Sequence, residues 1–287
     1  MGLVHFSFRS WCLNMNTDIE VILPSIKQGT DAEEYYRSGK KYPVLWLLHG
    51  TLGNYTDYLR RTNIELYATE NDLIVVMPTA LNSNYSNWDK VEPKFMMFDY
   101  ITKELMPMIY GWFPASDKRE DNFIAGLSMG ARGTSKFGFN YPEKFAGVAC
   151  MSGVPSDIRK ILREGDENRF YKREFMTVQQ AGGEEAFFNS YENIWDKVPE
   201  VAKMENPPKF YFCCGTNDGV YPNYLHFKKY AQSVGLDATF HEMEGYAHEW
   251  RFWEIELQNI LAFFGFNKKK TSQSKIPAEK IMDGTLV

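Results

Sequence analysis

Gly126-Leu127-Ser128-Met129-Gly130 is a GxSxG pentapeptide between an apolar run, Asn122 to Leu127, and a small-residue stretch that reads as a helix from about Met129 to Phe139. A serine on a tight strand-to-helix turn is held at strained backbone angles, and the flanking glycines let strand and helix approach each other. Its hydroxyl then projects at the carboxyl end of the sheet. There the free N–H groups and positive dipole end of the following helix favour a developing oxyanion. The chemistry such a serine performs is nucleophilic attack on a carbonyl carbon.

A hydroxyl is a poor nucleophile at neutral pH, so Ser128 requires a general base, and the base requires an acid to fix its tautomer. In the chain order serine, acid, histidine, the candidates are Asp218, just past the apolar run Phe210 to Cys214, and His248, just past the run Ala238 to Met243. Both follow strand carboxyl ends, as Ser128 does. His241 falls within a strand run, His226 within a helical run and His5 near the terminus, so these read as structural. Asp237 precedes its strand and so sits at the wrong end of the sheet. Glu249 is adjacent to His248 in sequence, and neighbours on a helix do not face each other. An oxyanion also needs backbone donors. One is the N–H of Met129; the second is expected from the loop His49-Gly50-Thr51-Leu52-Gly53-Asn54, with Thr51 N–H the donor and His49 shaping the loop.

The elements that must position these groups follow from short apolar runs bounded by turn residues, with helical stretches between them. Strands are expected at Ile19 to Leu23, Val44 to Leu48, Leu73 to Met77, Asn122 to Leu127, Ala146 to Met151, Phe210 to Cys214 and Ala238 to Met243. Helices are expected at Phe95 to Phe113, kinked by Pro107, at Asn223 to Val234, and at Glu249 to Phe264, where Trp250, Trp253, Leu257, Ile260, Leu261 and Phe264 share a face. Alternating strands and helices imply a mostly parallel sheet covered on both sides, the α/β class. The stretch 155–207 breaks the rhythm: it is charged, helix-prone and aromatic, and reads as a lid inserted into a single domain spanning 1–266. Residues 267–287 open with three lysines and read as a mobile tail.

Composition narrows the partners. The chain has 287 residues, 32 Lys+Arg against 37 Asp+Glu and a net charge of −5, with no basic cluster before the C-terminal lysines, which argues against nucleic acid or an anionic membrane. Neither a leader-like N-terminus nor an apolar run of about 18 residues is present, and the expectation is a cytoplasmic protein. The four cysteines, Cys12, Cys150, Cys213 and Cys214, lack metal or redox spacing and read as reduced structural thiols. No metal or cofactor is required by the chemistry read above.

The segments LLHG-TLGN, IAGLSMGARG, YPEKFAGVACMSG, CCGTND and GYAHEW, in this order and spacing, resemble the esterase D and tributyrin esterase branch of the α/β-hydrolases. That branch includes acyl esterases, feruloyl esterases and S-formylglutathione hydrolases, and a related branch holds mycolyl transferases. The resemblance runs from about residue 5 to 265. It implies the α/β-hydrolase fold, Ser128, Asp218 and His248 as a triad, Thr51 and Met129 as oxyanion donors, and the insertion as a cap on the acyl pocket. Two departures stand out. Gly130-Ala131-Arg132 replaces a common GG, bringing Arg132 toward the pocket, and Glu249 replaces a common Asp.

The expected activity is a serine carboxylesterase acting on small acyl or hydroxycinnamoyl esters, including carbohydrate esters. S-formylglutathione hydrolysis and acetyl ester hydrolysis are the enzymatic alternatives, and the first is disfavoured because its usual SGLTC loop is absent. A non-catalytic acyl-binding module would not need an intact triad. Substrate contacts are expected from Tyr85, Asn87 and Trp88, in the loop after the strand at Leu73 to Met77, and from Trp195 of the insertion. The 21 Phe, 17 Tyr and 7 Trp thus suggest an aromatic-lined pocket, and exposed lid aromatics would suit a homodimer.

Overall fold

The computed structural model describes residues 2–27 and 29–266; the C-terminal tail expected at 267–287, with its lysines, lies outside the described residues. An antiparallel hairpin opens the chain, β1 (Gly2–Ser10) and β2 (Met15–Leu23), followed by β3 (Val44–Leu48) and β4 (Ile74–Pro78). Next come a two-stranded ribbon, β5 (Asn87–Trp88) and β6 (Phe95–Met96), then β7 (Asn122–Leu127), β8 (Gly147–Met151), β9 (Lys209–Gly215) and β10 (Ala238–Met243). Apart from the ribbon the strands form one sheet in the order β1-β2-β4-β3-β7-β8-β9-β10. From β4 to β10 all neighbours are parallel; β2 is antiparallel to both of its neighbours. This is the architecture of an α/β-hydrolase.

Every residue of β3, β4, β7 and β8 is buried, which is why these strands read as unbroken apolar runs rather than as alternation. Successive side chains still point to opposite faces. Val44, Trp46, Leu48, Ile124, Val148, Phe210 and Phe212 join the core on one face. Leu45, Leu47, Ala125, Leu127, Ala149, Tyr211 and Cys213 join the core on the other, under the helix Trp250–Phe263.

The hairpin strand β1 is the element that the pattern of apolar runs does not reveal. Its residues alternate between half-buried and exposed because it is the sheet's edge, so it has no continuous apolar run. The expected helix at Phe95 to Phe113 is also modified. Phe95 and Met96 pair as β6, and a π-helical turn, Tyr100–Leu105, precedes the α-helix Met106–Trp112. Proline lacks the amide donor and clashes with the carbonyl a turn earlier; Pro107 directly follows the widened turn within one continuous helical run, 97–112.

Between β8 and β9 the inserted stretch folds as the helices Ile158–Glu164, Tyr171–Gln180, Glu184–Phe188 and Ile194–Ala202. Ile158, Ile161, Val178 and Phe187 give it a small core of its own. It is pinned to the helix Met129–Asn140 by a buried ion pair, Lys136 to Glu192 at 2.7 Å, and by Asn140 Nδ2 donating to the Tyr191 carbonyl at 2.9 Å.

The helix Met129–Asn140 lies close against the sheet because its first turns carry glycine. A Cβ on Gly130 would collide with the Leu48 carbonyl oxygen and lie 2.7 Å from that of His49, and these are backbone atoms of β3 and its loop that cannot swing aside. Gly130→Ala is therefore expected to destabilise the fold by about 3 kcal/mol, the upper end of the usual range of core overpacking. A fall in the urea unfolding midpoint checks this; an unchanged midpoint would show that helix and sheet have slack.

Candidate active site

Ser128 stands between β7 and the helix Met129–Asn140 with φ 55° and ψ −115°, a left-handed conformation that a residue with a side chain adopts only when its surroundings impose it. Those surroundings are visible. The Ser128 N–H donates to the Met151 carbonyl at the end of β8 (2.8 Å), and its own carbonyl accepts from Arg132 N–H (3.2 Å), opening the helix. The hydroxyl is thereby held above the carboxyl ends of the parallel strands.

His248 and Asp218 arrive from loops after β10 and β9. His248 Nε2 lies 2.9 Å from Ser128 Oγ, and His248 Nδ1 lies 2.8 Å from Asp218 Oδ2. An ionised carboxylate only accepts, so the ring proton resides on Nδ1, and Nε2 offers its lone pair to the serine hydroxyl. Asp218 is buried, which alone would raise its pKa. The His248 hydrogen bond and the Val220 N–H donated to Oδ1 (2.9 Å) outweigh burial and hold the carboxyl below its usual value. Trp253 meets the His248 ring edge-on at 5.0 Å.

The loop after β3 reaches the same point: a Cβ on Gly50 would stand 3.4 Å from Ser128 Cβ. Its shape is set by His49, whose Nε2 accepts the Ala80 N–H (2.8 Å), which leaves Nδ1–H to donate to the Gly50 carbonyl (2.7 Å). Burial pushes the His49 pKa down, so this ring is a neutral brace and not a second base. Asn82 Oδ1 accepts the Leu52 N–H at 2.8 Å. The N–H groups of Thr51 and Met129 have no hydrogen-bond partner among the described residues. Other histidines are engaged elsewhere: His241 with Glu256 (2.8 Å), His226 with Asp157 (3.3 Å) and His5 with Glu20 (3.3 Å).

A model of the family described as "Putative esterase" matches residues 13–264. The chain belongs to this esterase family. It is a serine carboxylic ester hydrolase. It is 28% identical over 272 residues to an acetyl esterase of Caldicellulosiruptor saccharolyticus, covering 90% of this chain and 96% of that one. Among solved structures it is similar to a fluorophosphonate-binding serine hydrolase of Staphylococcus aureus, FphF, at 28% identity and a TM-score of 0.73, covering 92% and 98% of the two chains. It is also similar to the S-formylglutathione hydrolase FrmB of the same organism, at 26% identity and a TM-score of 0.74, covering 92% and 99%.

The cleft beside Ser128 departs from the aromatic pocket anticipated above. It is lined by Ser128, Met129, Arg132, Ser152, Ser156, Phe170, Arg173, Val220 and Asn223, among others, with Phe170 its single aromatic side chain. None of the four expected substrate contacts lines it. Tyr85 is fully buried; its hydroxyl donates to the His49 carbonyl (3.1 Å) and its ring fills the space where Gly133 has no side chain. Asn87 is spent on the backbone, Oδ1 accepting the Asp99 N–H (3.1 Å), and it borders a different cleft. Trp88 packs on Phe95 at 5.4 Å. Trp195 stacks on Tyr230 at 4.0 Å, gluing the insertion to the helix Tyr221–Ser233.

What the insertion contributes instead is charge. Glu174, buried on the helix Tyr171–Gln180, accepts from Arg132 Nη2 and from Arg173 Nε and Nη2 (3.1 and 2.9 Å), all on one oxygen, Oε1. Burial would raise the Glu174 pKa, but the two guanidiniums outweigh it and hold the carboxyl down. Arg132 was legible as the residue four beyond Ser128, one helical turn on and hence on its side of the helix; nothing local links Arg173 or Phe170 to it.

A carboxylate held below its unfolded pKa stabilises the fold at neutral pH, and that contribution is lost as pH falls through the folded value. Asp218 and Glu174 both have this sign. The urea midpoint is expected to decline as pH drops below about 4, the ordinary carboxylate range. Glu174→Gln should decline less steeply, and an equal slope would remove Glu174 from the account.

Proposed function

We propose that Ser128, His248 and Asp218 act as nucleophile, general base and orienting acid, with the N–H groups of Thr51 and Met129 binding the oxyanion. The observation that carries this reading is the unbroken hydrogen-bond chain from Ser128 Oγ through His248 to Asp218 at 2.9 and 2.8 Å. His248 takes the hydroxyl proton as Ser128 attacks the ester carbonyl and returns it to the leaving alcohol. The imidazolium formed between these steps is stabilised by the buried Asp218 carboxylate. A water deprotonated by the same histidine then releases the acid and regenerates the serine.

The substrates are small esters, with short acyl groups such as acetyl first. The small cleft, lined by polar and apolar groups in similar measure, favours a short acyl chain, and the likeness to an acetyl esterase supports it. Hydroxycinnamoyl esters rank second, because Phe170 offers one face on which such a ring could stack. Likeness to an S-formylglutathione hydrolase keeps the thioester as the alternative. The protein acts on a small-molecule ester without a membrane span: no helix among the described residues is long and apolar enough to cross a bilayer.

Ser128→Ala is expected to reduce kcat for 4-nitrophenyl acetate by about 10⁴-fold or more, as removal of a triad nucleophile does elsewhere, with the unfolding midpoint retained. Activity surviving in that variant would overturn the assignment. Wild-type rates on 4-nitrophenyl acetate, methyl ferulate and S-formylglutathione, in parallel, are expected to rank in that order; a dominant S-formylglutathione rate would replace the ester reading with the thioester one.

A further inference from the structure

The cleft at Ser128 shares Arg132 with a neighbouring cavity, which Lys136, Glu174 and Glu192 also line. Together the two hold three cationic side chains, Arg132, Lys136 and Arg173, and two carboxylates, Glu174 and Glu192. Lys136 and Glu192 are paired at 2.7 Å. That leaves two guanidiniums for the single carboxylate of Glu174, both bound to the same oxygen. The other acid at the cleft, Asp218, is committed to His248 and the Val220 N–H.

A pin between the insertion and the helix would need one arginine; the second is left without a counter-charge of its own. Arg132 Nη1 is buried and has no hydrogen-bond partner among the described residues. Glu192 Oε1 is likewise unpartnered, but its other oxygen is held by Lys136. The Arg173 side chain is half exposed and its guanidinium rests 5.1 Å from the centre of the Phe170 ring, which fixes it at the cleft wall. Arg169 approaches the same ring at 4.9 Å. The proximity of Arg132, together with burial, depresses the Arg173 pKa to about 10. The amino end of the helix Met129–Asn140 adds partial positive charge at the same place.

Building on the serine esterase reading above, we propose that Arg132 and Arg173 form a carboxylate-recognition subsite, and that the preferred substrates of this esterase are anionic esters carrying a carboxylate a few atoms from the scissile bond. A guanidinium donates two parallel N–H groups to a carboxylate, a geometry that recognises the anion and rejects its uncharged amide. The anion can belong to the acyl group or to the leaving group; the chemistry of recognition is the same.

Two substrate pairs test this with the full-length protein: monomethyl glutarate against methyl 4-carbamoylbutanoate, where the charge is on the acyl side, and 3-acetoxybenzoate against 3-acetoxybenzamide, where it is on the leaving group. Within at least one pair kcat/KM for the carboxylate is expected to exceed that for the amide by about tenfold, the range of one charge-assisted contact, mostly through KM. The pair that responds identifies the side. Arg132→Gln and Arg173→Gln should each pull the ratio toward one, while Glu174→Gln, which frees both guanidiniums, should raise it. The ratio is internal to each variant, so partial unfolding does not move it, and the half-exposed Arg173 can be replaced even if Arg132 cannot. Ratios of one or below in both pairs, or a tenfold preference that survives both arginine substitutions, would overturn the subsite while leaving the esterase intact. Failure to hydrolyse 4-nitrophenyl acetate and both amides would instead sink the esterase reading and this inference with it.

Discussion

The left-handed backbone at Ser128 is the constraint around which the rest of the molecule is arranged. A non-glycine residue at φ 55° and ψ −115° costs on the order of 1–3 kcal/mol, and it persists only where packing leaves no alternative. Here β7 and β8 are buried throughout, the Ser128 N–H is bonded to the last carbonyl of β8, and the helix that follows is pressed against β3 at Gly130. Relaxing the turn would break the hydrogen bond or push the helix off the sheet. The strain is thus stored by the sheet core, and the hydroxyl is fixed at the one height where His248 and the loop from Gly50 also arrive.

That arrangement also explains which features were legible in the amino-acid order and which were not. The buried parallel strands write themselves as apolar runs because both faces are covered, and the nucleophile turn writes itself as glycines at fixed offsets. Asp218 could be singled out because it follows such a run, and His248 because it follows β10, a half-buried edge strand, both at the end of the sheet where Ser128 lies. Each inference used neighbours within a few residues. The edge strand β1 escaped because one of its faces meets solvent and its pairing with β2 breaks the apolar run into alternation. The π turn escaped because Pro107 announces a disturbed helix without saying whether the helix will kink or widen.

The aromatic side chains were misplaced for a different reason. Tyr85, Trp88 and Trp195 are amphipathic or large, and composition treats a ring that binds substrate and a ring that joins two layers as the same thing. The deciding information lies far off in sequence: Gly133 makes the hole that Tyr85 fills, and Tyr230 supplies the face on which Trp195 stacks. The stack of Phe98 on Tyr191 at 4.0 Å and on Phe137 at 5.0 Å likewise ties the helix beside the ribbon, the insertion and the nucleophile helix into one core. Part of the aromatic excess is therefore consumed in attaching the insertion to the sheet domain, and the rest packs layers of that domain on one another, as Phe123 does on Phe264 at 4.9 Å.

An insertion attached in this way delivers side chains to the reaction site that its own sequence cannot assign to it. Phe170 and Arg173 belong to a segment more than 40 residues beyond Ser128, yet they wall the same cleft as Arg132, which sits one turn into the nucleophile helix. The hydrogen-bonded chain at Ser128 and much of the wall of its cleft thus come from different parts of the fold. Sheet-end loops, rigid and spaced by the strands, hold the chain Ser128, His248 and Asp218. The helical insertion has a small core of its own and brings Phe170 and Arg173 to the cleft from outside that geometry. Charge is the cheapest property to alter there, because a guanidinium reaches the cleft from a helix surface while its stem packs against neighbours. In this chain one point of contact between the two parts is the buried Glu174, which both anchors the insertion to the helix Met129–Asn140 and holds two guanidiniums beside the cleft at Ser128.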